Sequence, residues 1–404
     1  MNKPELIQEI ENKVKEFLPT LKLNNNIDNA RESFFCSQSN ETIVKVMTFS
    51  EQELLNAPIK TLLSNKIISE RFSESTVQNR FVELYHKILS DEDEISNEVE
   101  KVVSYFINSP LYDYFIVSEI ENIRIQDDNE YEFIDSTIKK LKEEDVPFNF
   151  ESSLLTDHHD LRGKPVIFTK VKAGDTEKAK ELALHNFLVS FNLLKLYANG
   201  FKPVLKGCLL SGNQSLISFN EQTKNLSCNM SRVGELPLNH AYLNQNLYDQ
   251  LKDEGICELK KNNSISKVVK ECLYWFGLGL GEVYPSARLI NFVTILESVL
   301  KKKGEMTELK RTVAERGTIL LYDKFEQRKE ALSKLKKIYD TRSKVVHTGV
   351  LIDDKDLASL AGGYARAVLI KLIKKSKYFE GNFERFIDFI DEIKLGRVQN
   401  DTTN

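Results

Sequence analysis

The chain has 404 residues, with 56 Lys and Arg against 60 Asp and Glu, for a formal net charge of −4. Hydrophobic residues at 41% and charged residues at 29% exclude wholesale disorder, and 17 Gly with nine Pro exclude a collagen-like or Pro-rich chain. At about 100–200 residues per domain, this length predicts two or three domains.

The predicted elements begin with a helix over residues 2–18, where Leu6, Ile10, Val14 and Leu18 recur every four positions. Residues 42–49 alternate like a strand. Helices are expected over 75–89 and 95–107, separated by the acidic turn SDEDE. Residues 111–126 (LYDYFIVSEIENIRIQ) are rich in Tyr, Phe, Ile and Val and read as strand. No motif is evident in the first 150 residues.

From 151 the character changes. ESSLLTDHHDLRG is polar and loop-like, and PVIFTKVKA (165–173) is a strand by its β-branched content. Asp175 fits the N-cap of a long helix that runs to about 198 and stops at Asn199-Gly200. A hairpin is expected next, with strands near 203–210 and 215–220 joined by SGNQ. Residues 221–263 are Asn-rich and read as irregular, with linker.

From about 265 only helices are expected, over 266–278, 285–303, 305–321, 325–348, 354–375 and 383–393. Pro285 fits the first turn of the second. Leu289, Phe292, Val293, Leu296, Val299 and Leu300 form its apolar stripe. GLGLGE (277–282) lacks the G-K-[ST] ending of a phosphate loop and follows a helix, so it reads as an interhelical hinge. Trp275 and Tyr274 read as core. The fold class is therefore an α+β N-terminal part followed by an all-α helical bundle. We expect an N-terminal region over 1–150, an α+β middle region over 151–259 and a C-terminal helical domain over 260–397.

No run of about 18 uncharged apolar residues is present, so no membrane span is expected. The start, MNKPELIQEIENK, lacks the apolar core of a secretory signal. Five scattered Cys without C-x-x-C spacing read as reduced thiols of a cytoplasmic protein. Charge is unevenly spread. Residues 260–404 carry 28 basic and 19 acidic residues, a net +9, which leaves −13 upstream. That balance suits a polyanion partner, and Lys-rich solvated helix faces would give the same count.

The strongest local feature is KIYDTRSKVVHTG (337–349), with Arg342 and His347 five apart on a predicted helix. Leu335, Ile338, Tyr339, Val345 and Val346 form its apolar side, and Gly349 is a helix stop. Six His and 14 Arg in 404 residues give about 0.2 such pairs by chance. His suits general acid–base work near neutral pH, and Arg binds phosphate bidentately while staying charged. Five residues turn a helix by about 140°, so both side chains can border a groove without stacking on one stripe. A surface Arg and a helix-end His complementing the dipole fit the same spacing.

YDTRSKVVHTG resembles the R-x(4–6)-H signature of the HEPN superfamily, in particular its Apea-like branch. ARLINFVTILESVL (287–300) resembles that branch's L-E-x-L helix, and ELKRTVAERGTILL (308–321) the helix that follows. The likeness covers about 265–395 well and 150–220 loosely. It implies that the bundle is a HEPN domain and that the protein is a metal-independent endoribonuclease, with no cofactor, acting on RNA as a homodimer with a composite site at the interface. Arg342 would hold the scissile phosphate. His347 would serve as acid or base while the 2′-hydroxyl attacks. Apart from the resemblance, Ser343 and Lys344 are placed by their position beside Arg342 to contact substrate, and Glu297, within the apolar stripe of its helix, is placed to orient Arg342 across the bundle. Many HEPN nucleases carry Asn, Asp or His directly after the Arg, where this chain has Ser343, as the Apea-like branch commonly does. The resemblance suggests a bacterial antiphage or toxin-like role; because an unrestrained ribonuclease would harm its host, the N-terminal part is expected to sense a phage-derived or cellular trigger or to restrain the nuclease. A non-catalytic HEPN module that binds RNA or a protein is the alternative.

Lys344 also reads as a solvated lysine, and Glu297 as a partly exposed carboxylate without such a role. Lys301-Lys302-Lys303 ends its helix, where lysines favour the dipole. His158 and His159 in DHHD could begin a metal site, but no further Cys/His spacing supports one, and none is expected. His86, His185 and His240 lack evident partners.

Overall fold

The computed structural model describes residues 2–18, 49–90, 94–142, 145, 161–198, 204–205, 216–229, 241–305 and 308–397. Its described elements, in chain order, are α1 (Lys3–Phe17), α2 (Phe49–Ser64), α3 (Lys66–Arg71), α4 (Glu74–Ser90), α5 (Ile95–Asn108), β1 (Tyr112–Glu121), β2 (Ile123–Ile125), β3 (Tyr131–Phe133), β4 (Ser136–Lys140), β5 (Pro165–Ala173) and α6 (Thr176–Tyr197). They continue with β6 (Val204–Leu205), β7 (Leu216–Asn220), β8 (Leu226–Asn229), β9 (Ala241–Leu243), α7 (Gln245–Asp253), α8 (Ser264–Gly281), α9 (Pro285–Leu300), α10 (Leu309–Leu321), α11 (Phe325–Thr348), α12 (Lys355–Lys375) and α13 (Phe383–Lys394). An α+β part thus precedes a wholly helical one. None of the described helices is long and apolar enough to cross a membrane.

Two compact units divide the chain. One comprises Met1–Ile116, Lys170–Ala183 and Leu216–Cys228, and the other Val117–Thr169, Leu184–Ser215 and Asn229–Asn404. The chain passes between them within β1, β5 and α6.

In the first unit, α1 starts on a capping box between Asn2 and Glu5 and buries Leu6, Ile10, Val14 and Phe17. These pack with Phe81, Leu84 and Tyr85 of α4 and Val99, Val103 and Phe106 of α5. Asp175 caps α6 as its position predicts: Oδ1 accepts from the Lys178 N–H at 2.7 Å, while Oδ2 accepts from the Ser73 N–H at 2.9 Å. The strand expected over 42–48 lies outside the described residues, and Phe49 begins a helix.

The main sheet has the order β3-β4-β5-β1-β7-β8, with β6 on β1, and β2 pairs with β9 in parallel. The expected 203–220 hairpin is corrected. β6 pairs with β1 (Ile120 opposite Leu205), whereas β7 lies between β1 and β8. The tight turn sits at 221–224, where Asn220 Oδ1 accepts from the N–H groups of Gln222 at 3.0 Å and Thr223 at 2.8 Å. SGNQ itself lies outside the described residues. The irregular linker expected over 221–263 is also corrected, because it holds β8, β9 and α7. Two of its asparagines act as caps. Asn244 caps α7 and Asn263 caps α8, each through its side-chain oxygen.

The second unit's helices surround α9, which packs against α8, α10, α11 and α12. The predicted stripe of α9 is buried throughout, as is Ile295 outside it. Pro285 stands in its first turn. GLGLG does not hinge: its glycines are the last turns of α8. A Cβ at Gly279 would lie 2.6 Å from the Phe292 ring, and one at Gly362 of α12 would lie 2.9 Å from it. Missing side chains therefore let α8 and α12 close on a fully buried phenylalanine. Gly279→Ala is expected to cost about 1–3 kcal/mol by overpacking. Gly363→Ala, at a helical position with nothing within 4 Å of the added Cβ, is expected to gain about 0.5–1 kcal/mol. Chemical denaturation of both variants checks the opposite signs. Tyr274 departs from the core expectation: it is 39% exposed, beside His185 of α6.

Candidate active site

The site is built on α11. Leu335, Ile338, Tyr339 and Val345 are buried along one stripe and hold the helix in the bundle. Gly349 takes the left-handed conformation at φ 68° and its N–H donates to the Val345 carbonyl, ending the helix two residues after His347. Val346, expected on the apolar side, is instead 47% exposed.

The structure brings Arg342 and Glu297 together. Arg342 Nη2 lies 3.6 Å from Glu297 Oε1, which reaches across from α9. Tyr339 donates its hydroxyl to the same Glu297 oxygen, and the Arg342 guanidinium carbon lies 5.9 Å from the Tyr339 ring centre. Burial, reinforced by the bond to Glu297, pushes the Tyr339 phenol above its ordinary range, so it stays a donor at neutral pH. Arg342 Nε is buried without a hydrogen-bond partner. One long ion pair thus aims the guanidinium while leaving most of its donors for a ligand.

His347 stands apart. It is exposed, one and a half turns beyond Arg342 and about 140° around the helix. Ser343 is half-buried and Lys344 exposed. Within one chain the geometry brings Glu297, Tyr339 and Arg342 together and does not bring His347 to them. Tyr339 is the residue that reading by periodicity misses, since a stripe position predicts core and says nothing of its hydroxyl. Its signal is its place three residues before Arg342, one helical turn along the same face.

Beside His347 lies an exposed apolar surface. Val346 directly precedes His347, and Val350 (60% exposed) and Leu351 (78%) follow the motif. Val283 (81%) and Tyr284 (70%) sit at the α8–α9 corner. Ser286 links the two stretches: its hydroxyl accepts from the Ile352 N–H at 2.7 Å and donates to the Ile352 carbonyl at 3.2 Å.

His158, His159 and His240 lie outside the described residues. Among the described residues, no three Cys, His, Asp or Glu side chains gather in a way that could hold a metal ion. Compared with family models, curated proteins and solved structures, the chain shows no match.

Proposed function

We propose that the protein is a HEPN-type endoribonuclease that cleaves RNA without a metal ion, at a composite site formed by two copies of the chain. The observation that carries this reading is the Arg342 guanidinium, aimed by Glu297 and Tyr339 with donors to spare, on the same helix as an exposed His347. The apolar side chains exposed beside His347 offer a face that a second copy would cover.

In the proposed reaction Arg342 grips the non-bridging oxygens of the scissile phosphate and offsets charge as the phosphorane forms. The ribose 2′-hydroxyl attacks phosphorus and gives its proton to a base. The P–O5′ bond breaks, and the departing oxygen takes a proton from an acid. His347 supplies one of these two proton transfers. The products are a 2′,3′-cyclic phosphate and a 5′-hydroxyl. Ser343 and Lys344 stand on the same turn to contact the strand. An antiphage or toxin-like role, with the N-terminal part as sensor, accords with the resemblance.

The test is cleavage of total cellular RNA by the purified chain in excess EDTA. We expect cyclic-phosphate ends from the wild type and a loss of about 10²–10⁴-fold in Arg342→Ala and in His347→Ala. Sedimentation should show a dimer at micromolar concentration. Cleavage that survives both substitutions, or a strictly monomeric inert protein, would sink the reading.

A further inference from the structure

Beyond the motif, α11 presents an unused charged face. Lys329, Lys336, Lys337 and Lys344 fall with His347 inside a sector of about 100°, at 3.6 residues per turn. Lys329, Lys337 and Lys344 are exposed and Lys336 is half-exposed. None of the four makes an ion pair with a described residue, although paired lysines are common across this chain.

The carboxylates on and beside this face are neutralised from elsewhere. Asp340 is held by Lys310 of α10, whose Nζ lies 2.5 and 2.6 Å from its two oxygens. Glu330 is held by Lys334 at 2.5 Å. Glu326, in the first turn of α11, lies beyond Lys329 and closes the stripe at that end. What remains is a line of free ammonium groups running about 27 Å along the helix from Lys329 to His347, at 1.5 Å per residue. Free surface cations in a row fit a repeating anion better than a compact one, since each can release one counterion from a phosphate.

We propose that this face of α11 is a phosphate track, along which Lys329, Lys336, Lys337 and Lys344 lead the backbone of single-stranded RNA to His347. The track rests on the ribonuclease reading for its direction, and it is testable apart from cleavage. It carries no base-reading group, so it binds strands without sequence preference.

The probe is a fluorescein-labelled 2′-O-methyl oligonucleotide, which lacks the attacking hydroxyl and stays intact. Its binding to the full chain is followed by anisotropy over a range of salt concentrations. The triple variant Lys329→Gln, Lys336→Gln, Lys337→Gln should bind at least tenfold more weakly. The slope of log K against log salt should fall by about 2, at about 0.7 for each phosphate that is no longer neutralised. Replacing the same three by Arg should retain binding, which guards against misfolding. A control triple with the same charge change elsewhere, Lys267→Gln, Lys355→Gln, Lys377→Gln, should bind nearly as the wild type does. The track is overturned if the two Gln triples lose equally, if the first triple loses nothing, or if the wild type does not bind. It is also overturned if polyaspartate displaces the probe at a lower charge concentration than RNA does, since the face would then read an acidic polypeptide. Loss of binding in the triple with no cleavage by the wild type would keep the track and sink the ribonuclease. Cleavage with unaltered binding would do the reverse.

Discussion

Arg316→Ala is expected to destabilise the C-terminal helices by about 3 kcal/mol. Arg316 is buried on α10. Its Nε and Nη2 donate to the two Asp391 oxygens of α13 at 2.8 and 3.0 Å, and Nη1 donates to Glu305 at 2.7 Å and to the Leu300 carbonyl at 2.9 Å. One guanidinium therefore joins the end of α9, the turn after it, α10 and α13. Removing it strands two carboxylates and a carbonyl, with only Lys302 left near Asp391 at 3.5 Å. Arg316→Lys should fall between, because a single ammonium cannot span both carboxylates. The pH dependence has a definite sign. Burial alone would raise Asp391 and Glu305, but the bonds from Arg316 outweigh it and hold both below their ordinary values. Their folded values are thus depressed. The resulting stability is present above the unfolded carboxylate range and is lost as pH falls through the folded values. Urea unfolding at neutral and acidic pH should show the wild type losing stability on acidification and Arg316→Ala losing less. Equal losses in both would remove Arg316 as the cause.

The contrast between Arg316 and the motif shows where sequence reasoning runs out. Helix limits on α9, α11 and α12 follow from local chemistry, namely Pro285 in a first turn, Gly349 past a last turn and Asp354 accepting from the Leu357 N–H. Each signal lies within a few residues of the boundary it marks. Arg316 carries no such signal, because Asp391 stands 75 residues away. The β3–β4 hairpin is equally hidden. Its turn places Ile134 at φ 53°, a conformation that a β-branched residue rarely adopts and that no turn rule predicts. The glycines of α8 mislead for the opposite reason. Their local meaning is flexibility, but the side chains that require two of them come from other helices, Phe292 at Gly279 and Asn192 at Gly277. At the candidate site, Arg342, His347 and Glu297 are readable as residues. What cannot be read is their division, with Arg342 turned toward α9 and His347 left in solvent.

That division leads to the second large effect. Equimolar mixing of Arg342→Ala with His347→Ala, after dissociation and reassembly, should restore about a quarter of wild-type cleavage, because half the dimers become mixed and each holds one intact site of two. Each variant alone should be inert. The expectation follows from geometry. Arg342 is held toward Glu297 of α9, whereas His347 lies about 140° around the helix in solvent, so within one chain the two side chains present different sides of α11. The partner's His347 is free to approach Arg342, since the apolar side chains exposed beside it can close on the second copy. Recovery of activity in the mixture therefore assigns Arg342 and His347 to opposite copies. A mixture as inert as its components, with mixed dimers shown by differential tagging, assigns both to one copy.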